Sequence, residues 1–510
     1  MKKENPVLSE KGFAVLLTLV YAACTFAGVL LHDPWADEAQ AWLLARDLSP
    51  IGLLRQMRYE GSPALWHFIL MPFAKAGFPY FTEFVVHWFI AASMVFVFLR
   101  YSPFSRLTKA LFTFSYFIFY EYVIIARSYG LSVLLLFLIA AVYKRRFERP
   151  LLFALLVFLL FNTNAHSFGA AAALAAIFAY DGLMIRKNKP VAGKRPFSFL
   201  FLAPVIMALG GLAVYLQVRH PVMIPRLALR DDLRKELFTA LCNAFLYSYW
   251  RLDNIYIRSA FVFIFLLVTF LSVARRIQPL FFLLASYAAL STIFLLVSWA
   301  EPSQYGYFLI FVVFTLWISG EYEDAAFTGT VSRRLPEPRT MRRYSIALLN
   351  VSLAIGVLFG LYNLAGFYKY KLSYAGEMAG FMKRHGLAAG TIVAYQSPAC
   401  SSVLPFLDGK AFWYPDIGAY GTFISWNRKF FQSKSGSWGT ASLTASDILK
   451  KAGERFGRDP DVYLLLSRDV KVGGPARRHL ELIYRTDGRC IKHEETYSLY
   501  RIIWPRKKAP

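Results

Sequence analysis

The fold class predicted is a polytopic α-helical membrane protein with a C-terminal soluble α/β domain. Of 510 residues, 57% are hydrophobic and only 17% charged, a balance foreign to water-soluble domains. Apolar runs of about 20 residues recur throughout the first 370 or so positions, the length needed to cross a bilayer. From Tyr368 onward the hydrophobicity turns intermittent and the segments shorten. These observations exclude a soluble enzyme, a secreted disulfide scaffold and a disordered tail as the main reading. The net charge of +25 comes without a nucleic-acid recognition motif, so loop charge that sets topology explains it and no nucleic-acid partner is expected.

Phe13 to Leu31 follows Lys2, Lys3 and Lys11 and is too long for a signal-peptide core, so it reads as an uncleaved first span. Further apolar runs at 84–100, 107–125, 128–143, 150–163, 167–185, 197–216, 258–274, 278–298, 305–320 and 344–366 bring the total to about eleven. The run 150–163 is the shortest. With the N-terminus in the cytoplasm, the inner connections hold Arg100 and Arg106, Lys144-Arg145-Arg146 with Arg149, Arg186-Lys187 through Lys194-Arg195, Arg275-Arg276, and Arg333-Arg334 to Arg342-Arg343. The short opposite loops hold almost no basic residue except Arg127, as the positive-inside rule demands. An odd number of spans puts the C-terminal domain outside. The two long outer segments, 32–83 and 217–257, are then where chemistry is expected.

In the region after the last span, taken as 368–510 against a membrane part of 1–367, helices are predicted at Glu377–His385 and from Ser446. A turn followed by a strand is predicted over Gly390–Tyr395, and further strands at Asp461–Leu466 and Thr496–Ile503. From Gly366 to Pro510 there are 23 Lys+Arg against 12 Asp+Glu, a net +11, a surface suited either to anionic lipid headgroups and acidic glycans or simply to water. Cys400 and Cys490 share this region, where a bridge and two free thiols are both compatible with the sequence. Ser397–Cys400 and Trp413–Asp416 mark loops that would face an acceptor, with a sugar stacked on Trp413.

The first outer loop carries the most chemistry. Asp37 and Glu38 follow directly on a membrane span, and adjacent carboxylates at a low-dielectric boundary need a cation, a donor or a proton. Such a carboxylate suits a general base; acids in the first turn of an amphipathic helix, Glu38 to Arg46, are the equal alternative. Ser49-Pro50 starts a second helix, and Glu60-Gly61-Ser62-Pro63 imposes a turn before Trp66 and His67. The two helices are expected to lie on the membrane surface. No His, Cys and carboxylate cluster has the spacing of a dedicated metal site, although the carboxylate pair is compatible with a divalent cation such as Mg or Mn.

These motifs together resemble the polytopic glycosyltransferases of the GT-C fold, the superfamily of protein O-mannosyltransferases and lipid A aminoarabinose transferases. Asp37-Glu38 matches their acidic motif after span one, and Glu60-Gly61-Ser62-Pro63-Ala64-Leu65-Trp66 looks like their His-Pro-Pro-Leu element, departing at Ser62 and Ala64. Ala126-Arg127-Ser128-Tyr129-Gly130 resembles an Arg-Ser-Tyr element, and Asn164-Ala165-His166 a His-containing outer loop. The likeness covers about residues 10 to 370 in layout. It implies a bacterial inner-membrane enzyme that moves a monosaccharide from a polyprenyl-phosphate donor to a glycan, lipid or protein hydroxyl, in contact with membrane lipids.

Under that resemblance Asp37 is the base and Glu38 orients a substrate or metal. Arg127 holds phosphate, with Tyr129, His166, Glu60 and His67 as further substrate contacts. Arg251 and Arg258 are secondary phosphate candidates. Gln304-Tyr305 stands where relatives carry Arg-Tyr, so the source of a second phosphate charge is open; Glu301 reads as a solvent-exposed loop acid. The competing functions are a flippase for lipid-linked glycans and a non-catalytic glycan-assembly protein.

Overall fold

The structure is a computed structural model, and it describes residues 9–188, 198–219, 232–247, 254–296, 301–324, 336–366, 370–424, 443–457, 459–467, 472–488 and 490–504. Helix α1 (Glu10–Leu30) begins where the Ser9 hydroxyl accepts from Gly12 N. Three shorter helices fill the first long loop: α2 (Ala36–Asp47), α3 (Pro50–Glu60) and α4 (Leu65–Lys75). Ser49 caps α3, Pro50 opens it, and Gly61 ends it at φ 68°, a left-handed turn that a β-carbon would strain.

The bundle continues through α5 (Thr82–Tyr101), α6 (Arg106–Phe114), α7 (Ser128–Val142), α8 (Pro150–Phe161) and α9 (Phe168–Asn188). It is completed by α10 (Ser198–Val218), α11 (Asp232–Phe245), α12 (Ile255–Val273), α13 (Ile277–Leu296), α14 (Pro302–Ile318) and α15 (Pro338–Gly366). Among the described residues nine helical segments are long and apolar enough to cross a membrane, against about eleven expected from the sequence. Two runs account for the difference. Pro150–Phe161 has 12 residues, about 18 Å at ordinary rise. The 107–125 run is not one helix: Ser115 turns extended (φ −69°, ψ 156°) after α6, and a single π-turn, Phe117–Glu121, follows.

Helix α14 stands at the centre, with 94% of its membrane-length window buried. At one end of the bundle Phe98, Phe112, Phe137 and Trp317 form an aromatic cluster. Arg146 pairs there with Asp181 at 2.8 Å, joined by the Tyr322 hydroxyl. The other end gathers the start of α7 and the loops before α2, α9 and α14. Gly130 allows that gathering, because a β-carbon on it would sit 2.7 Å from the Tyr122 carbonyl.

The C-terminal part comprises α16 (Ala375–Arg384), β1 (Thr391–Tyr395), the short α17 (Ser397–Cys400), β2 (Phe412–Tyr414), β3 (Ala419–Gly421), α18 (Ala445–Phe456), β4 (Val462–Ser467), β5 (Leu480–Arg485) and β6 (Tyr497–Ile502). Its sheet has the order β3-β2-β1-β4-β6-β5. The strand β1 runs parallel to β2 and β4, and the other neighbours are antiparallel. All three predicted strands and both helices form within a few residues of expectation. This part rests on α2: Leu43 belongs to its hydrophobic core, beside Leu404 and Tyr374, and Phe406 meets Tyr80 edge-on at 5.3 Å.

Three expectations are corrected here. Helix α2 is not an open surface helix, since nine of its twelve residues are buried, between α3, α4 and the C-terminal domain. Trp413 is only 4% exposed and packs edge-on against Phe456, so no sugar can stack on it. Ser397–Cys400 is a turn of helix with Ser397, Ala399 and Cys400 buried rather than an open loop. The Cys400 and Cys490 thiols are buried and directed to the carbonyls of Tyr395 and Leu372 respectively.

Candidate active site

The site is built on the first turn of α2. Trp35 is extended (φ −117°, ψ 179°) ahead of the helix, which leaves the first backbone N–H groups without intrahelical acceptors. Two carboxylates take them. Glu38 folds back to accept from Trp35 N at 3.1 Å. Glu495, from the turn before β6, accepts from Ala36 N at 2.9 Å. The C-terminal domain thus caps the helix that carries Asp37.

Glu38 is fully buried and its oxygens are committed. His32 Nε2 lies 2.9 Å from both of them, and Ala126 N donates to Oε1 at 2.7 Å. It therefore ties the end of α1, the start of α2 and the residue preceding Arg127. That is a positioning role, not the substrate contact the resemblance implied.

Asp37 faces the other way. Its Oδ2 is 3.1 Å from Arg127 Nη1, and its side chain stays 40% exposed. Arg127 also reaches Glu301 at 3.5 Å and lies over the rings of Tyr129, at 5.1 Å, and Trp35, at 5.8 Å. Lys492 Nζ sits 3.5 Å from the centre of the Trp35 ring. Burial raises the Asp37 carboxyl above its ordinary range; Arg127 and Lys492 pull it down, while Glu301 and Glu38 push it further up. Two cations and two open carboxylates, Asp37 and Glu301, thus share one recess.

The other candidates fall into three groups. Tyr129 lies beneath Arg127 with Gln304 and Ser303 facing its hydroxyl. His166 stands 5.9 Å from the Tyr129 ring, and neither of its ring nitrogens has a partner among the described residues. These belong to the recess. Glu60 is on its rim, bonded to Gln40 of α2 at 2.9 Å and to Gln56 at 3.0 Å, with burial pushing its carboxyl up to about 7.

His67 is buried and kept neutral by desolvation, its ring pushed down to about 4, and no hydrogen bond or ring contact joins it to Asp37 or Arg127. Tyr305 turns away from Gln304 to pack on Phe117 at 6.0 Å. Arg258 is spent on the Leu246 carbonyl at 3.1 Å and on Asn243, which removes it as a phosphate ligand. Arg251 lies outside the described residues.

Sequence reasoning missed Lys492 and Glu495 and set Glu301 aside. Lys492 and Glu495 sit in a polar turn that reads like any solvated loop, with no signal that it docks on a helix 450 or more residues earlier. Among the described residues no group of three His, Cys or carboxylate side chains converges, Glu38 has no free oxygen, and Arg127 stands between Asp37 and Glu301. No family model, curated protein or solved structure matches this chain.

Proposed function

We propose that the chain is a GT-C-type membrane glycosyltransferase, transferring a monosaccharide from a polyprenyl-phosphate donor to a hydroxyl acceptor on the outer face of a bacterial inner membrane. The observation that carries this reading is the open Asp37 carboxylate held 3.1 Å from Arg127, with a second cation, Lys492, over the neighbouring Trp35. A base and a phosphate cradle are what such a transfer needs from a protein, because polyprenyl phosphate is already a good leaving group.

In this mechanism the acceptor oxygen attacks the anomeric carbon, Asp37 takes the hydroxyl proton, and the bond from that carbon to the phosphate oxygen breaks with its electron pair leaving on phosphate. Arg127 and Lys492 neutralise the departing group. The resting Asp37–Arg127 pair adds a step. A donor phosphate competes for the guanidinium, and the released carboxylate becomes a stronger base because its main charge-stabilising partner has been withdrawn. Tyr129 and Glu301 hold Arg127 in place meanwhile.

The test is sugar release from labelled polyprenyl-phosphate monosaccharides by the protein in lipid, wild type against Asp37→Asn. Transfer by the wild type and a loss of at least about a hundredfold in a folded variant, about 2.7 kcal/mol of barrier, is the expected result. Undiminished transfer by the variant would remove Asp37 as the base. Carrier flipping without any release would replace the transferase with a flippase.

A further inference from the structure

The C-terminal domain carries a second recess, away from Asp37. Helix α18 packs on one part of the sheet face, and beyond it β5, β6 and the 3-10 turn Gly474–His479 enclose a groove of about 840 Å³. That lies in the range of small-molecule sites, enough for a short oligosaccharide and far more than a single ion needs. Its lining is largely polar. Arg477 and Arg485 supply two guanidinium groups, while Thr486, Ser498 and Tyr500 supply hydroxyls.

Arg485 is already positioned, donating from Nε to Ser498 at 3.0 Å and from Nη2 to the Tyr500 hydroxyl at 3.3 Å. These two bonds use part of a five-donor fork and leave the rest for a ligand. Neither arginine has a carboxylate partner among the described residues, and Asp487 is the one acid in the lining. Two guanidinium groups with no carboxylate partner among the described residues, beside several hydroxyls, match a ligand bearing both carboxylate or phosphate groups and sugar hydroxyls. A peptide or an acyl chain would call for apolar seats, and Leu480 and Leu482 are the chief apolar side chains near the arginines.

We propose that this groove binds an anionic glycan, holding the acceptor at a distance from the reacting hydroxyl. The acceptor role rests on the transferase reading; the binding itself does not. Thr496 lines one end of the groove, and the next residue back in the chain is Glu495, which caps the helix bearing Asp37. A glycan seated here is therefore bound by the domain that clamps the catalytic helix.

The full chain in phosphatidylcholine nanodiscs is titrated with an oligogalacturonate, a maltooligosaccharide of equal length and a polyaspartate of equal charge. The expected result is binding of the oligogalacturonate alone, weakened at least tenfold by the surface substitutions Arg477→Gln and Arg485→Gln together and unaltered by Asp37→Asn. Unchanged affinity in the double variant, equal binding of polyaspartate, or no binding of oligogalacturonate overturns the proposal. None of these outcomes bears on sugar release by Asp37, so each reading fails separately.

Discussion

Asp37 and Glu38 are adjacent in the chain, yet one carboxylate is 40% open beside an arginine and the other has no exposed surface at all. Their roles divide accordingly, chemistry for the first and construction for the second. Glu38 holds His32, Trp35 N and Ala126 N together, so removing it strands a buried imidazole and two backbone donors. Glu38→Ala is expected to lower stability by about 3–5 kcal/mol, the usual cost of breaking a buried charged network. Thermal unfolding in detergent checks it, and a melt equal to wild type would show that Glu38 is not the clamp. The acidic pair was legible in the sequence, but not which member faces solvent, because both sit in the first turn of a helix whose surroundings include the distant C-terminal domain.

At the scale of elements, α2 is held between the membrane bundle and the C-terminal sheet. The Glu495 carboxyl closes that contact on Ala36 N, and burial pushes it up from its ordinary 4.5 to about 7. The folded protein therefore holds this proton more firmly than the unfolded chain between those two values. The stability it contributes is complete below pH 4.5 and is lost as pH rises through about 7. Glu60, also pushed up to about 7, adds a parallel share. The melting temperature is expected to fall across this window, and Glu495→Gln to make the decline shallower. An identical slope in the variant would place the titrating group elsewhere. The first-loop helices and their caps were readable from Ser49-Pro50 and Gly61, whereas the break at Ser115 was hidden inside an unbroken apolar run.

At the scale of the whole molecule, basic loops collect at the end of the bundle opposite Asp37. Arg146 there pairs with Asp181, while Lys144 and Arg145 remain exposed. With the N-terminus inside, a cysteine placed by Glu148→Cys is expected to resist a membrane-impermeant maleimide in intact cells and react after permeabilisation. Asp487→Cys is expected to react in both. Both sites are exposed; the native Cys242, Cys400 and Cys490 are buried, and the exposed Cys24, in the middle of α1, is replaced by Ser in both variants. The reverse labelling pattern would invert the topology and move the proposed chemistry to the cytoplasm.

Hydropathy, charge alternation and capping residues were enough to determine a helical membrane part, the strands of the C-terminal domain and the acidic pair after the first span. Each depends on near neighbours in the chain: an apolar run long enough to need lipid, a proline at a helix start, a period of two in a strand. What only the tertiary structure decided is which groups meet. Arg127, Glu301 and Lys492 converge around Asp37 from three remote segments, and Arg258, equally basic, is consumed by its own neighbourhood. Charge is a property of a residue, but pairing, desolvation and access depend on what packs beside it, and around Asp37 those neighbours come from remote parts of the chain.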